Sequence, residues 1–212
     1  MKKDREINIR RKRENNYANF LAGFAIIVIP LFTIFLGTKR PPTKYTLSMI
    51  GNRFDYRFEY IIWGIVTGGL LVYYILYLFK RANYSNNKAK RFLIWSDVFL
   101  VLTVIIPALE EIMPVFAFMH RFFAAAFGVS LVLSLYFFIL YLSKGNNIVK
   151  RRYLMMLFMV VAGSVFSLFV FGNTGIFELF FFISISLYLI ILSTLLKKLE
   201  DRKYKKDETD NG

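Results

Sequence analysis

Six long apolar stretches follow one another along this chain, and short polar connections separate them. They occupy residues 20–36, 60–79, 92–109, 115–142, 153–172 and 174–196. A helix needs roughly 17–25 residues to cross about 30 Å of hydrocarbon, and each stretch is near or above that length. None of them alternates apolar and polar residues as the strands of a membrane barrel do. The pattern therefore predicts an all-α fold, namely a polytopic membrane protein with a bundle of six transmembrane helices.

The basic residues are distributed unequally between the two sets of connections. Twenty-two of the 28 Lys and Arg residues lie in residues 1–19, 80–91, 143–152 and 197–212, which share one side of a six-span topology. Cytoplasmic loops are enriched in Lys and Arg. We therefore expect a plasma-membrane protein with both termini in the cytoplasm. It divides into a basic tail (1–18), a transmembrane domain (19–199) and a charged tail (200–212).

The overall composition agrees with this topology. The chain is 57% hydrophobic, with a mean hydropathy of +0.49, which exceeds what a soluble domain of 212 residues needs. The net charge of +14 comes mainly from Lys and Arg residues on one side of the predicted membrane, so it does not indicate a nucleic-acid partner. The basic run at residues 10–13 is a topology signal, or it attracts anionic lipid head groups at about 1 kcal/mol per charge. The absence of cysteine excludes disulfides and thiolate sites and is typical of a bacterial membrane protein.

The connection at residues 39–59 is the longest one and the only basic one on the predicted outer side. Residues 53–60 alternate polar and aromatic side chains, and Gly51-Asn52 separates them from the run 45–50. This arrangement predicts a β-hairpin with a two-residue turn. A short interfacial helix, with Arg53 and Arg57 four residues apart on one face, is the alternative.

Ionisable side chains within or beside the spans require an explanation, because burial in hydrocarbon is costly. His120 and Arg121 lie about 8–9 Å below the outer start of the fourth span, and Glu178 lies at a similar depth in the sixth. With Glu59 and Glu111 at the rim, these side chains predict a polar pocket that opens outward. The alternative is a structural salt bridge between Arg121 and either Glu178 or Glu111. Asp97, in the inward half, is expected to pair with Ser96 or a nearby basic residue.

These residues favour some chemistries over others. Zinc usually needs three protein ligands, which one His and scattered carboxylates supply poorly, so we expect no metal site and no cofactor. A membrane-embedded hydrolase or transferase could use His120 as a general base if Glu178 or Glu111 lies within hydrogen-bonding reach. A small proton-coupled transporter is a third hypothesis, but it is expected to place a carboxylate near the midplane, where the predicted spans put none.

Three segments also carry a resemblance to a known family. Residues 44–52 (KYTLSMIGN) contain a Ser-x-x-Gly pattern after span one, His120 is followed by RFFAAAF at the head of span four, and Glu178 follows GIF at the head of span six. In order and spacing the chain resembles a bacterial six-span family, domain of unknown function 998. That family is similar to the eukaryotic Frag/DRAM/Sfk-like group.

The resemblance implies a six-helix bundle and a role connected with membrane lipids. It marks Ser48, Gly51, His120 and Glu178 as the positions of interest, beside Arg53 and Arg57 in the same outer loop. Together with the predicted pocket, it favours a protein that handles or senses membrane lipid and is not an enzyme. Lipid head groups are the expected partners.

Overall fold

Seven α-helices form the part of the chain that the structure describes. This computed structural model describes the backbone of residues 2–210 and the side chains of residue 16 and residues 19–200. The helices are α1 (Lys2–Gly37), α2 (Leu47–Arg53), α3 (Arg57–Arg81), α4 (Asn87–Ile105), α5 (Pro114–Leu142), α6 (Asn147–Phe171) and α7 (Gly175–Asp210). Residues 2–210 contain no strand. The all-α prediction is confirmed.

Five of these helices are long and apolar enough to cross a membrane, counted within the described residues. They are Asn19–Gly37 of α1, all of α3, α5 and α6, and Gly175–Glu200 of α7. They coincide with five of the six predicted spans, as expected of a polytopic helical membrane protein. The sixth, α4, has only 19 residues, and Lys88, Lys90, Arg91 and Asp97 are among them, so it contains no stretch of spanning length with as few charged residues as the others have.

Despite its charged residues, α4 is part of the helical bundle. It packs against α3 and α5. Near its start the Ser134 hydroxyl of α5 donates to the Ala89 carbonyl at 2.9 Å, and near its end His120 of α5 bonds the Thr103 carbonyl. Contacts at both termini with one antiparallel neighbour mean that α4 runs nearly the whole height of the bundle.

The connections gather at two ends of the bundle. The α2 end contains residues 38–56, 106–113 and 172–174, and the opposite end contains residues 82–86 and 143–146. At the opposite end Arg81 donates to the Glu200 carboxylate at 2.9 Å, which ties α3 to α7. Every residue of the predicted polar pocket lies at or near the α2 end. The helices therefore alternate in direction as the sequence predicts.

The predicted hairpin at residues 45–60 is wrong, because this segment forms the short helix α2. Thr46 caps it, with its hydroxyl oxygen accepting the Met49 N–H at 3.0 Å. The alternative of a short helix is confirmed by α2, but this helix does not carry both arginines. The chain leaves helical geometry at Phe54 and takes a positive φ of 63° at Asp55, so Arg53 ends α2 and Arg57 begins α3.

Two glycines of α3 lie directly against α4. A Cβ atom on Gly64 would lie 2.3 Å from Val104 Cγ1, and one on Gly68 would lie 2.1 Å from Asp97 Oδ1. Small residues allow membrane helices to approach closely in this way. In contrast, α6 buries few side chains (Leu157, Ser164 and Ser167) and lies at the periphery.

Candidate functional site

The start of α2 is fixed to the start of α7. The Glu178 carboxylate accepts the Leu47 N–H at 2.5 Å, and the Gly175 N–H donates to the Tyr45 carbonyl at 3.0 Å. A Cβ atom on Gly175 would lie 2.6 Å from that carbonyl oxygen, so glycine is needed for this approach. The first amides of a helix lack partners inside the helix. Glu178 supplies one to α2 from a helix 131 residues further along the chain.

Ser48 and Gly51 shape α2 and its contact with α3. The Ser48 and Thr46 hydroxyls share a hydrogen bond of 2.9 Å, and the Ser48 carbonyl accepts the Asn52 side-chain amide at 2.6 Å. A Cβ atom on Gly51 would lie 2.6 Å from Tyr60 Cβ. Both residues therefore have a clear structural role at the α2 end.

Arg53 and Arg57 hold the same end together from two sides. Arg53 forms an ion pair with Glu111 at 3.1 Å across an exposed surface. Arg57 donates to the Asn52 side-chain oxygen at 2.6 Å and also to the Ile105 carbonyl. Since Ile105 is the last residue of α4, Arg57 satisfies one of the carbonyls left without partners at that helix end.

His120 serves the same helix end. Its Nδ1 lies 2.7 Å from the Thr103 carbonyl oxygen and 3.1 Å from that of Ile106. A carbonyl can only accept, so Nδ1 carries the proton. Only 6% of the residue is exposed. No hydrogen bond joins His120 to a carboxylate in the described part of the chain, so the geometry required of a general base and its orienting acid is not found there.

Arg121 pairs with a different acid from the two that we expected. It donates to Glu110 at 2.9 Å, and both side chains are largely exposed. Glu110 precedes α5, and the turn at residues 109–113 brings it back over the first turns of that helix. The hydrogen bond from Arg121, together with its charge, holds the pKa of Glu110 below its usual value. This is a surface ion pair, and such pairs contribute little to stability.

Below the α2 end lies a cavity of about 100 Å³ between α3, α4, α5 and α7. Its lining is predominantly aromatic and contains one charged side chain, Glu178. The lining residues are Tyr60, Trp63, Leu100, Thr103, Ala124, Phe127, Gly128, Phe177, Glu178, Phe181 and Phe182. An apolar cavity with a single polar group suits one end of an amphipathic ligand.

An aromatic row forms one wall of this cavity. Tyr60 stacks on Trp63 with ring centroids 5.7 Å apart, Trp63 meets Phe182 edge-on at 5.0 Å, and Phe182 stacks on Phe127 at 5.9 Å. The Trp63 indole N–H donates to the Thr33 hydroxyl at 3.0 Å, which fixes the ring. Gly128, on the α5 side, has no atom within 4 Å of where a Cβ would be. One wall is therefore rigid and the other leaves open space.

The structure separates the five residues of the predicted pocket. Glu178 lines the cavity, whereas His120 caps α4 beside it, and Arg121 and Glu111 belong to surface ion pairs. Glu59 lies half-buried in the first turn of α3, and no hydrogen bond among the described residues involves its side chain. The aromatic lining was missed because, in sequence, such residues do not differ from aromatics that face lipid or the core.

Two further expectations can be compared with the geometry. Ser96 donates to the Leu93 carbonyl at 2.7 Å and does not bond Asp97, and no ion pair of Asp97 occurs among the described residues. In the same part of the chain no three His, Cys, Asp or Glu side chains are grouped as a metal site would need. The basic run at residues 10–13 lies outside the residues whose side chains are described.

Comparison with known proteins identifies the family but not an activity. The family model described as "protein of unknown function (DUF998)" matches residues 20–195, which include every residue that lines the cavity. No curated protein and no solved structure gives a significant match. The matched segment covers most of the chain, and the chain therefore belongs to the DUF998 family of proteins of unknown function.

Proposed function

We propose that this protein binds a membrane lipid in the cavity beside Glu178 and does not carry out chemistry on it. The observation that carries the proposal is the cavity itself, whose aromatic lining contains a single carboxylate. Apolar walls favour an acyl chain, and a carboxylate favours a head group that can donate hydrogen bonds. At about 100 Å³ the cavity has room for only part of a lipid, with the remainder in the bilayer.

The proposal includes the six-span topology, with both termini in the cytoplasm of a bacterial plasma membrane. Five helices satisfy the length and composition of a span, and α4 lies antiparallel between two of them along most of their height. The unequal distribution of Lys and Arg supports an outward-facing α2 end. The cavity would then lie in the outer half of the bilayer.

Cations at the α2 end support a phosphate-bearing head group. The Lys39 Nζ lies 4.3 Å from the centre of the Phe35 ring, and the Arg40 Cζ lies 4.5 Å from the centre of the Phe54 ring. A guanidinium stacked on a ring keeps its in-plane N–H donors available to phosphate oxygens. Lys44 is exposed on the same connection. A glycerophospholipid could thus place its phosphate near these cations, a hydrogen-bond donor of its head group at Glu178 and part of an acyl chain against the aromatic lining.

The alternative of a hydrolase or transferase based on His120 has less support. Its Nδ1 is committed to two backbone carbonyls, which is the arrangement of a helix cap. The cavity lining also contains no second acid or base next to Glu178. For these reasons we favour lipid binding over lipid hydrolysis.

The test fills the cavity without disturbing the packing. A leucine at Gly128 would extend into open space, so the variant is expected to fold. Gly69→Leu is the matched control, because Gly69 also has no atom within 4 Å of a Cβ position but does not line the cavity. Purified protein in dodecyl maltoside would be mixed with phosphatidylethanolamine or phosphatidylglycerol, and bound lipid measured by native mass spectrometry and by the shift in melting temperature.

We expect lipid binding and its thermal stabilisation in the wild type and in Gly69→Leu, and their loss in Gly128→Leu. Glu178→Gln should weaken lipid binding less than Gly128→Leu does, because the amide keeps a side-chain oxygen that accepts hydrogen bonds from a head group. Equal lipid binding by Gly128→Leu and Gly69→Leu would rule out the cavity as the site.

A further inference from the structure

One ionisable side chain lies at mid-height in the bundle, and the cavity does not account for it. Asp97 is the eleventh of 19 residues in α4 and faces Gly68, the twelfth of 25 residues in α3. At 1.5 Å per residue these positions are about 15 and 16 Å from the starts of their helices. The carboxyl group is therefore near the middle of both helices.

Asp97 fits into a notch that glycine leaves open. A Cβ atom on Gly68 would lie 2.1 Å from Asp97 Oδ1, so any other residue at position 68 would require the carboxyl group to move. This oxygen is buried and has no hydrogen-bond partner, although the Asp97 residue as a whole is half-buried. Buried polar atoms in native proteins almost always have partners. Asp97 Oδ1 is thus a polar atom of the α3–α4 contact that lacks the partner such atoms usually have.

No counter-charge faces the carboxyl group from the helices that pack against α4. Residues 60–79 of α3 and 122–142 of α5 contain no Asp, Glu, Lys, Arg or His. Their titratable side chains are tyrosines, at positions 60, 73, 74, 77, 136 and 141. On α4 itself the nearest cation is Arg91, which is exposed and six residues away, or about 9 Å along the helix axis.

We propose that Asp97 is a proton-binding site of the bundle, which holds H⁺ while α3 and α4 are packed together and releases it when they separate enough to admit water. An unpaired carboxylate in an apolar interior is strongly disfavoured, and addition of a proton removes the charge. The equilibrium is –COO⁻ + H⁺ to –COOH, so no other reactant is needed. The proton is the ligand that the notch can accommodate without displacing Gly68.

Proton release and helix separation are linked by this geometry. The ionised carboxylate needs water or a cation beside it, and on the Oδ1 side the backbone of Gly68 occupies the nearest space while the helices touch. Leu100 packs against Gly68 at 3.3 Å from its Cβ position and also lines the cavity, so movement here would reach the cavity wall. Proton binding at Asp97 does not depend on whether a lipid occupies the cavity.

Labelling of the full-length protein with dicyclohexylcarbodiimide tests the proposal. This apolar reagent adds to protonated carboxyl groups and forms a stable N-acylurea, which peptide mass spectrometry locates. Wild-type protein in dodecyl maltoside would be labelled at pH values from about 5 to about 9. The exposed carboxyls of Glu110 and Glu111 serve as internal controls, so the comparison requires no variant. Labelling in a Glu178→Gln background separates this site from the cavity.

We expect labelling at Asp97 to persist at pH values where Glu110 and Glu111 no longer react, and the corresponding adduct to be absent from Asp97→Asn. Loss of Asp97 labelling over the same pH range as the two controls would overturn the proposal. Protection of Asp97 by sodium ions but not by choline would overturn it too, because a metal cation would then replace the proton as the ligand.

Discussion

Glycines on two sides of this bundle have opposite functions. Gly64 and Gly68 lie in the contact between α3 and α4, where a Cβ would come within 2.3 Å of Val104 and 2.1 Å of Asp97. Gly128, on the face of α5 that looks toward α7, has no atom within 4 Å of that position. At Gly64 and Gly68 the lack of a side chain allows α3 and α4 to touch, whereas at Gly128 it leaves open space. The close side fixes the geometry, and the open side contains the cavity.

The largest expected effect is the difference in stability between a glycine-to-alanine substitution in the α3–α4 contact and one beside the cavity. We expect Gly64→Ala to destabilise the protein by about 1–3 kcal/mol through overpacking. Gly128→Ala should be neutral or stabilising by about 0.5–1 kcal/mol, because alanine favours a helix where space exists. The free energy of unfolding in mixed detergent and SDS micelles would measure both. Val104→Ala should restore part of the loss in Gly64→Ala. Equal effects at positions 64 and 128 would contradict the contrast between the two sides.

The next effect concerns the cap on α4. His120→Ala should destabilise the protein by about 1–3 kcal/mol, since the carbonyls of Thr103 and Ile106 lose their buried donor. His120→Gln retains an N–H donor and should recover part of that loss. The same unfolding measurement provides the test. An unchanged stability in His120→Ala, combined with a changed lipid response, would assign His120 to the cavity and not to the cap.

A smaller, local effect is expected on the open side. Glu178→Ala removes the acceptor for the Leu47 N–H, so α2 should exchange its amide hydrogens faster. Glu178→Gln keeps a side-chain carbonyl oxygen and should protect α2 nearly as well as the wild type. Hydrogen–deuterium exchange of residues 47–53 would measure this, with the α3–α4 contact as the unaffected reference. Identical protection in the alanine variant would show that Glu178 does not anchor α2.

The smallest effect is a pH dependence at the surface. The pKa of Glu110 is lower in the folded state than its ordinary value of 4.5, so its ion pair with Arg121 stabilises the fold above about pH 4.5. That contribution is lost as the pH falls through the lowered pKa. The melting temperatures of the wild type and Glu110→Gln should therefore differ slightly at pH 7 and converge in more acidic solution. A difference that persists after Glu110 has been fully protonated would require another cause.

The sequence by itself determined the class of the protein and the grouping of its polar residues at one end. Apolar length gave five helices that the structure confirms, because a spanning helix must satisfy its own backbone hydrogen bonds and this requirement is local. Alternating helix direction then brings Glu178, His120 and the 39–59 connection to the same end. The span limits were less accurate, since α4 begins at Asn87 and not at residue 92. Asp97 therefore lies near the middle of α4, and not in its inward half as the predicted span limits placed it.

Only the tertiary structure decided which of those polar residues act together. Thr46 caps α2 and turns the expected hairpin into a helix, and Glu178 then finds a backbone amide 131 residues away. His120 and Arg121 are adjacent in sequence, yet one side chain enters the α4 end and the other turns to the surface, because successive helical residues point about 100° apart. Hydrophobicity predicts that aromatic side chains are removed from water, but it does not predict their neighbours. Which of them enclose a cavity depends on how helices distant in sequence diverge.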